Sequence, residues 1–465
     1  MGAQKSYIHK IKRSGFIPVS LLTVVLFCAV SVSAAGNGMV ITDFGGNDDT
    51  GNAVAIQPDG KIVVAGSSKN DLGNDFAVVR YNSDGSLDTT FSEDGLAVTD
   101  FGSFHDYGNA VALQSDNKIV VAGMSKNDLD TDFAVARYNI DGSLDASFDE
   151  DGRVTMDFGG NSDQSNAVAI QPDGKIVAAG TSESDFAVAR YNADGSLDTS
   201  FGVDGIVSTD ISFDDTGRAV ALQPDGKIVV AGTVNSNLYD DLAVIRYNSD
   251  GSLDTTFDED GIVTMDFGTY KSCVSGSYIA IQSDGKIVIP GTSGEPFIPP
   301  PPYFFADNAF DFAVARYNND GSLDTSFNEN GKVTTDLDNS NDYGFAVSIQ
   351  ADGKIVMAGR IDGDFAVVRY NVDGSLDTSF DEDGKVTTDS GSGFFDEGRS
   401  VAIQSDGKIV VAGSAGGNFA VVRYNIDGSL DKSFGGSDDD DEGGETTGQD
   451  GGSHGGCFVD VVKKI

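Results

Sequence analysis

Asn82, Asp84, Ser86 and Asp88 set a side-chain oxygen at every second position of RYNSDGSLDTTF, Arg80 to Phe91, and Glu93 stands twelfth counting from Asn82. Calcium takes six to eight oxygens of this kind, which makes it the one candidate cofactor. Near-copies of the stretch begin at Arg137, Arg190, Arg246, Arg316, Arg369 and Arg423. Glu150, Glu259, Glu329 and Glu382 hold the place of Glu93, whereas Val203 and Gly436 stand there in the third and last copies. An EF-type loop needs glycine sixth and flanking helices. Here Gly85 is fourth and no helical pattern surrounds it. The competing reading is a turn, in which Asp84-Gly85 bends the chain, Asn82 and Asp84 bond backbone groups, and Leu87 and Phe91 fill apolar gaps. The turn accounts for every copy and calcium for five, so the turn is preferred.

The arginines that open the copies (Arg80, Arg137, Arg190, Arg246, Arg316, Arg369 and Arg423) lie inside otherwise apolar strands. An unpaired buried guanidinium is costly. The sequence therefore predicts a structural arginine bonded to a carboxylate such as Asp88 or its equivalent. Seven arginines around an axis, gripping an anion, are the lesser alternative.

No catalytic residue is assigned. His9 lies near the start, His454 near the end, and His105 stands alone in a loop, so no triad or zinc centre is composed. Cys273 and Cys457 are far apart, and Cys28 lies in the leader; no disulfide framework follows. Carboxylate pairs for glycoside cleavage are available among 73 acidic residues, but no spacing singles one out, and tryptophan is absent. The net charge of -43 excludes nucleic acid and anionic membranes as partners.

Four phrases recur in order: one like GKVTTD (Gly331 to Asp336), then AIQPDGKIVVAG (Ala55 to Gly66), which holds two, then DFAVVRYN (Asp75 to Asn82). The Arg-Tyr-Asn marks fall 57, 53, 56, 70, 53 and 54 residues apart. Each phrase has strand length and is rich in Val, Ile and aromatics, and none shows a 3.6-residue period. Pro58-Asp59-Gly60 reads as a tight hairpin. Short antiparallel strands in seven units, apolar on both faces, predict an all-β propeller of seven four-stranded antiparallel blades. A linear β-solenoid is the weaker competitor, because its coils are shorter. GMVITDFGG (Gly38 to Gly46) supplies the phrase that the last unit lacks after SLDKSFGG, so the N- and C-terminal strands are expected to pair and close the ring.

RYNxDGSLDTSF with AIQPDGKIVVAG, at this spacing, resembles the delta-60 repeat family, an uncharacterised β-propeller repeat of bacterial secreted proteins. The resemblance covers Gly38 to Gly436 and implies an exported bacterial propeller without assigned catalytic residues. The fifth unit departs most, with Pro290 in place of alanine and a long insertion.

Three segments follow: 1–34 as signal peptide, 38–436 as propeller and 437–465 as an acidic, glycine-rich tail. Lys10, Lys12 and Arg13 precede an apolar run from Phe16 to Val32, and SVSAAGN offers cleavage after Ala34 or Ala35. No membrane insertion is expected once the leader is removed. Cys457 opens a terminal CFVDVVKKI that reads either as a surface-sorting segment or as an incidental cysteine on a disordered end. Constant PDG turns fall on one face and variable loops on the other, which suits recognition. Four prolines, Pro299 to Pro302, stiffen the fifth-unit loop, so Phe297, Tyr303, Phe304 and Phe305 are its candidate ligand contacts. The expected function is a secreted or cell-surface, non-catalytic binding module for a protein or glycan. The alternative is an extracellular carbohydrate-active hydrolase or lyase using carboxylates of the variable face.

Overall fold

The computed structural model describes residues 31–34 and 38–436, apart from 46–47, 103, 128–129, 160–161, 236–239, 266–270, 274–277, 295–309, 339 and 394. Among these residues the regular structure is all strand. A representative unit enters on Thr50–Ile56, returns on Ile62–Lys69, and continues through Asn74–Tyr81 to Leu96–Thr99. Each strand pairs antiparallel with the next. At the first hairpin Gly60 N donates to Gln57 O, and Gln57 N donates to Lys61 O, both at 2.9 Å. Gly60 sits at φ 86°, in the left-handed region that side chains avoid. The GKVTTD phrase is the outermost strand of the unit before it: Lys332–Thr335 pairs with Phe310–Tyr317.

The second and third strands are buried on both sides, as the run Ile62 to Ser68 shows. Their cover is the neighbouring unit. Val54, Ile62, Val64, Ala77 and Val79 of the first unit form one core with Val410, Ala412, Phe419 and Val421 of the last. Burying each Val or Ile stabilises by roughly 1.5–3 kcal/mol, and the packing of unit on unit supplies this burial.

The expectation of seven separate four-stranded blades is corrected by the hydrogen bonding. Five sheets stand as separate blades of four or five strands, and a sixth sheet has eight. The eight-stranded sheet holds two successive repeat units, running from Thr50–Ile56 to Arg153–Met156, joined by a parallel bridge between Asn74 and His105. Gly73 permits that junction, because a Cβ there would lie 1.4 Å from Phe104 O. Two blades exceed four strands for separate reasons. Ser31–Ala34 adds to Met39–Asp43, and the inner strand of the fifth unit is split into Lys271–Cys273 and Ala280–Ile281. Of the expected signal peptide, residues 1–30 lie outside the described residues, as does the tail from 437.

Met39 to Thr42 pair with Val422 to Phe419, so a segment from the start of the propeller completes its last blade. The turns of the constant face continue the circle. Ser92 N donates to Asp141 O at 2.7 Å, and Gly435 N returns to Asp84 O at 2.8 Å.

Candidate functional site

The repeated turn is a staple. Arg80 Nε donates to Asp88 Oδ2 at 2.7 Å, and the guanidinium lies 4.7 Å from the centre of the Phe91 ring. Its Nη1 donates to Ile140 O of the next unit at 2.6 Å. Lys61 reaches the same Asp88 oxygen at 2.8 Å. Equivalent arginine–aspartate pairs form from Arg137, Arg190, Arg246, Arg316, Arg369 and Arg423. Burial alone pushes the Asp88 carboxyl up, but hydrogen bonds from Lys61 and Thr90 and the Arg80 charge outweigh it and hold it below the usual range. The same balance leaves Asp324 at about 2.

The residues of the calcium reading are engaged within that turn. Asp84 Oδ1 accepts from Ser86 N at 2.9 Å and from Ser86 Oγ at 2.6 Å. Asn82 Nδ2 donates to Ser86 Oγ at 2.9 Å. Glu93 occupies a left-handed turn position, φ 70°, as do Glu150, Glu259, Glu329 and Glu382. Phe297, Tyr303, Phe304 and Phe305 lie outside the described residues.

On the opposite face, the inner strands end around an axial cavity of about 240 Å³. Its lining includes Asn52, Asn109, Asn166, Arg218, Phe345 and Arg399, six copies of one repeat position, together with Glu397. Local structure explains the choice of that position. In each of these strands the register skips at this residue, as between Gly51 and Ala53 or between Gly398 and Ser400. The skipped residue is the extra member of a β-bulge, a device that re-aims a side chain.

The asparagines also lock neighbours: Asn52 Nδ2 donates to Gly108 O at 2.8 Å, and Asn166 Nδ2 to Gly217 O at 2.7 Å. Arg399 Nη1 donates to Asn52 Oδ1 at 2.8 Å and its Nε to Glu397 Oε1 at 2.6 Å. Arg360 lies 3.3 Å from the other Glu397 oxygen. One residue further along the inner strands, Tyr278 stands where the other units carry alanine or serine. Its hydroxyl donates to Asn52 O at 3.0 Å, linking the fifth unit to the first.

The loops around this cavity carry Phe213 at 96% exposure, Leu72 at 82%, Phe395 at 74% and Phe104 at 59%. Acidic groups gather at the junctions between units on the same face. Asp75, Asp100 and Asp106 bring carboxylate oxygens within 4.8 Å of one another, and four further sets do likewise. Burial and then the charges of Asp100 and Asp106 push Asp75 up to about 6.

Sequence reading missed the axial residues and these acidic sets. Its signal for the first was available: in TGN, YGN, TGR, YGF and EGR the residue after the shared glycine changes between Asn, Arg and Phe. His105, which the sequence reading set aside as a lone loop histidine, instead opens the strand His105–Leu113, 3.3 Å from Asn74 and outside the axial lining.

Seven segments (57–91, 114–148, 171–201, 223–257, 303–327, 350–380 and 404–434) match the family model described as Domain of unknown function (DUF5122) beta-propeller. The chain carries repeats of an uncharacterised β-propeller family. No curated protein matches it. Among solved structures it is similar to virginiamycin B lyase from Staphylococcus aureus, at 9% identity and TM-score 0.48, covering 86% of this chain and 100% of that one. It is also similar to a protein from Lactobacillus plantarum, at 15% identity and TM-score 0.48, over 80% and 94% of the two chains. An ulvan lyase follows at 14% identity and TM-score 0.44, over 86% and 96%. Each likeness is too distant to transfer a site or an activity to these β-propeller repeats.

Proposed function

We propose that this β-propeller is an exported, non-catalytic binding module of the delta-60 repeat type, and that it takes an acidic glycan on its variable face. The observation that carries this reading is the axial lining. A repeat that holds its neighbouring Gly and Ala-Val positions nearly constant places Asn, Asn, Asn, Arg, Phe and Arg at the bulged residue that lines the cavity. Packing alone favours the same residue in every unit. A non-repeating lining suits a ligand that is itself asymmetric.

The chemistry narrows the ligand. Arg218 and Arg399 set two guanidinium groups against the single carboxylate of Glu397 in a chain whose net charge is -43. Planar guanidinium forks match carboxylate and sulfate oxygens. The cavity is smaller than the roughly 300 Å³ at which drug-sized pockets begin, which suits one acidic sugar unit. Phe395, Phe213 and Phe104 would hold the rest of the chain against apolar ring faces. Glu397 is the axial carboxylate that a hydrolase or lyase would need as base, and both Arg360 and Arg399 already engage its oxygens.

Export is supported by the basic residues Lys10, Lys12 and Arg13 before the apolar run from Phe16. The test is calorimetry with uronate-bearing oligosaccharides and their neutral counterparts, followed by product analysis. Binding of the acidic series that is lost in Arg218→Ala, without new reducing or unsaturated ends, is the expected result. Turnover of the bound glycan would replace the binding module with the hydrolase or lyase, and binding of acidic peptides alone would reject the glycan.

A further inference from the structure

The sets of aspartates between units do not belong to the axial cavity. Asp311 opens the third strand of the fifth unit, Phe310–Tyr317, and Asp336 follows that unit's outermost strand. Asp342 begins the inner strand of the sixth, Asp342–Ile349. One oxygen from each lies within 4.8 Å of the other two.

Asp342 has a structural duty that uses only half of its carboxylate. Oδ2 accepts from Leu337 N at 2.6 Å and so fastens the loop between the units. Oδ1 is buried without a hydrogen-bond partner, in a residue of 0% exposure. A buried carboxylate oxygen without a donor is costly, and more so when charged. The carboxylates of Asp336 and Asp311 add like charge beside it. A cation placed among the three would supply the partner that Asp342 Oδ1 lacks.

We propose that Asp311, Asp336 and Asp342 bind a divalent cation, calcium by its chemistry, at the junction of the fifth and sixth repeat units. Calcium sits about 2.3–2.6 Å from its oxygens, so two of its ligands stand at most about 5 Å apart. The observed spacing falls inside that limit. Three hard carboxylate oxygens suit calcium, and backbone carbonyls and water complete six to eight ligands. The absence of imidazole and thiolate from the cluster argues against zinc.

Repetition gives the site company. Asp185, Asp210 and Asp215 occupy the same three positions at another junction, as do Asp364, Asp389 and Asp396. Asp215 and Asp396 repeat the loop bond through Ile211 N at 2.7 Å and Ser390 N at 3.0 Å. A cation at such a place ties one unit to the next where the outer strand of one blade hands over to the inner strand of another. This site is separate from the turn residues Asn82, Asp84, Ser86, Asp88 and Glu93, among which Asp84 and Asp88 turn their carboxylates to Ser86, Thr90, Lys61 and Arg80.

The test uses the full chain stripped with chelator and titrated with calcium chloride by calorimetry, with thermal melting in parallel. Calcium is expected to bind and to raise the melting temperature. Asp336→Asn, at an exposed position that the fold tolerates, should lose one equivalent or weaken that site more than tenfold. Asp342→Asn should do the same, and Asp84→Asn should leave the stoichiometry unchanged. The proposal is overturned if millimolar calcium gives neither heat nor a shift in melting. It is equally overturned if Asp336→Asn retains every equivalent, or if Asp84→Asn is the variant that loses one.

Discussion

The two faces of this propeller are built from the same repeat by opposite rules. On one face the unit writes Lys, Arg and Asp into each copy, and every arginine reaches a backbone carbonyl of the next unit, as Arg80 does Ile140 and Arg316 does Val372. On the other face the loops differ in length and content, and the bulged position changes from Asn52 to Arg218 to Phe345. Cavity size does not separate the faces. A wider recess of about 730 Å³ lies at the constant end, but repeated residues such as Ile56, Leu113, Ile170, Gln114 and Gln171 line it. Where lining follows the repeat, packing explains it. Where lining departs from the repeat, a partner is the better explanation.

The largest effect should come from breaking one staple. Arg190→Leu removes a guanidinium that serves Asp198 at 2.7 Å, Ser249 O at 2.5 Å and the Phe201 face. Breaking a buried pair costs about 3–5 kcal/mol. Lys175 still reaches Asp198 at 2.9 Å, so a loss near the lower end is expected from the urea midpoint, with glycan affinity unchanged. Stability within experimental error of wild type would show that the constant face is not what holds the ring.

Acid should attack the same face more gradually. The staple carboxyls titrate below their unfolded range, Asp324 at about 2 and Asp88 also lowered. Groups depressed on folding bind fewer protons in the native state, so their contribution is complete above the unfolded value of about 4. It is lost as pH falls from there towards 2. Circular dichroism at fixed ionic strength should therefore show unfolding begin below pH 4. An acid limb that is already finished at that pH would mean that the staples are not the groups being protonated.

These contrasts explain what the sequence disclosed. The staple was legible because Arg and Asp recur eight apart in all seven copies, and a guanidinium in an apolar strand demands an acid. Lys61 was not foreseen, since its contact with Asp88 depends on how the first hairpin lies against the third strand. The ring closure was legible from a phrase missing at one end and present at the other. The fusion of two units into one eight-stranded sheet was not, because it turns on a single contact at Gly73 and Asn74. The axial residues escaped for a similar reason: a bulge adds one residue without any change of composition. Asp75, Asp100 and Asp106 come from three different phrases, 25 and 6 residues apart, and only the packing of one unit on the next brings them together.

Arg218→Ala should divide the faces in the other direction. The side chain lines the axial cavity, and loss of a charge-assisted contact to an acidic ligand should weaken binding at least tenfold, about 1.4 kcal/mol or more. Stability should stay within about 1 kcal/mol of wild type, since no staple is touched. A fall in stability without a fall in affinity would move Arg218 into the ring's framework and leave the cavity without its anion contact.

The smallest effect is expected at Phe213, and its size is informative. At 96% exposure this ring covers no core, so Phe213→Ser should change the denaturation midpoint by less than about 0.5 kcal/mol. Its loss should still weaken glycan binding, by a few-fold, if the rim grips what extends from the axis. A ring that neither packs nor binds would have been replaceable by any polar residue. Equal affinity in Phe213→Ser, with Arg218→Ala impaired, would shrink the site to the axial cavity. Impairment in both would extend recognition across the variable face, from the axis to the loop before Asp215.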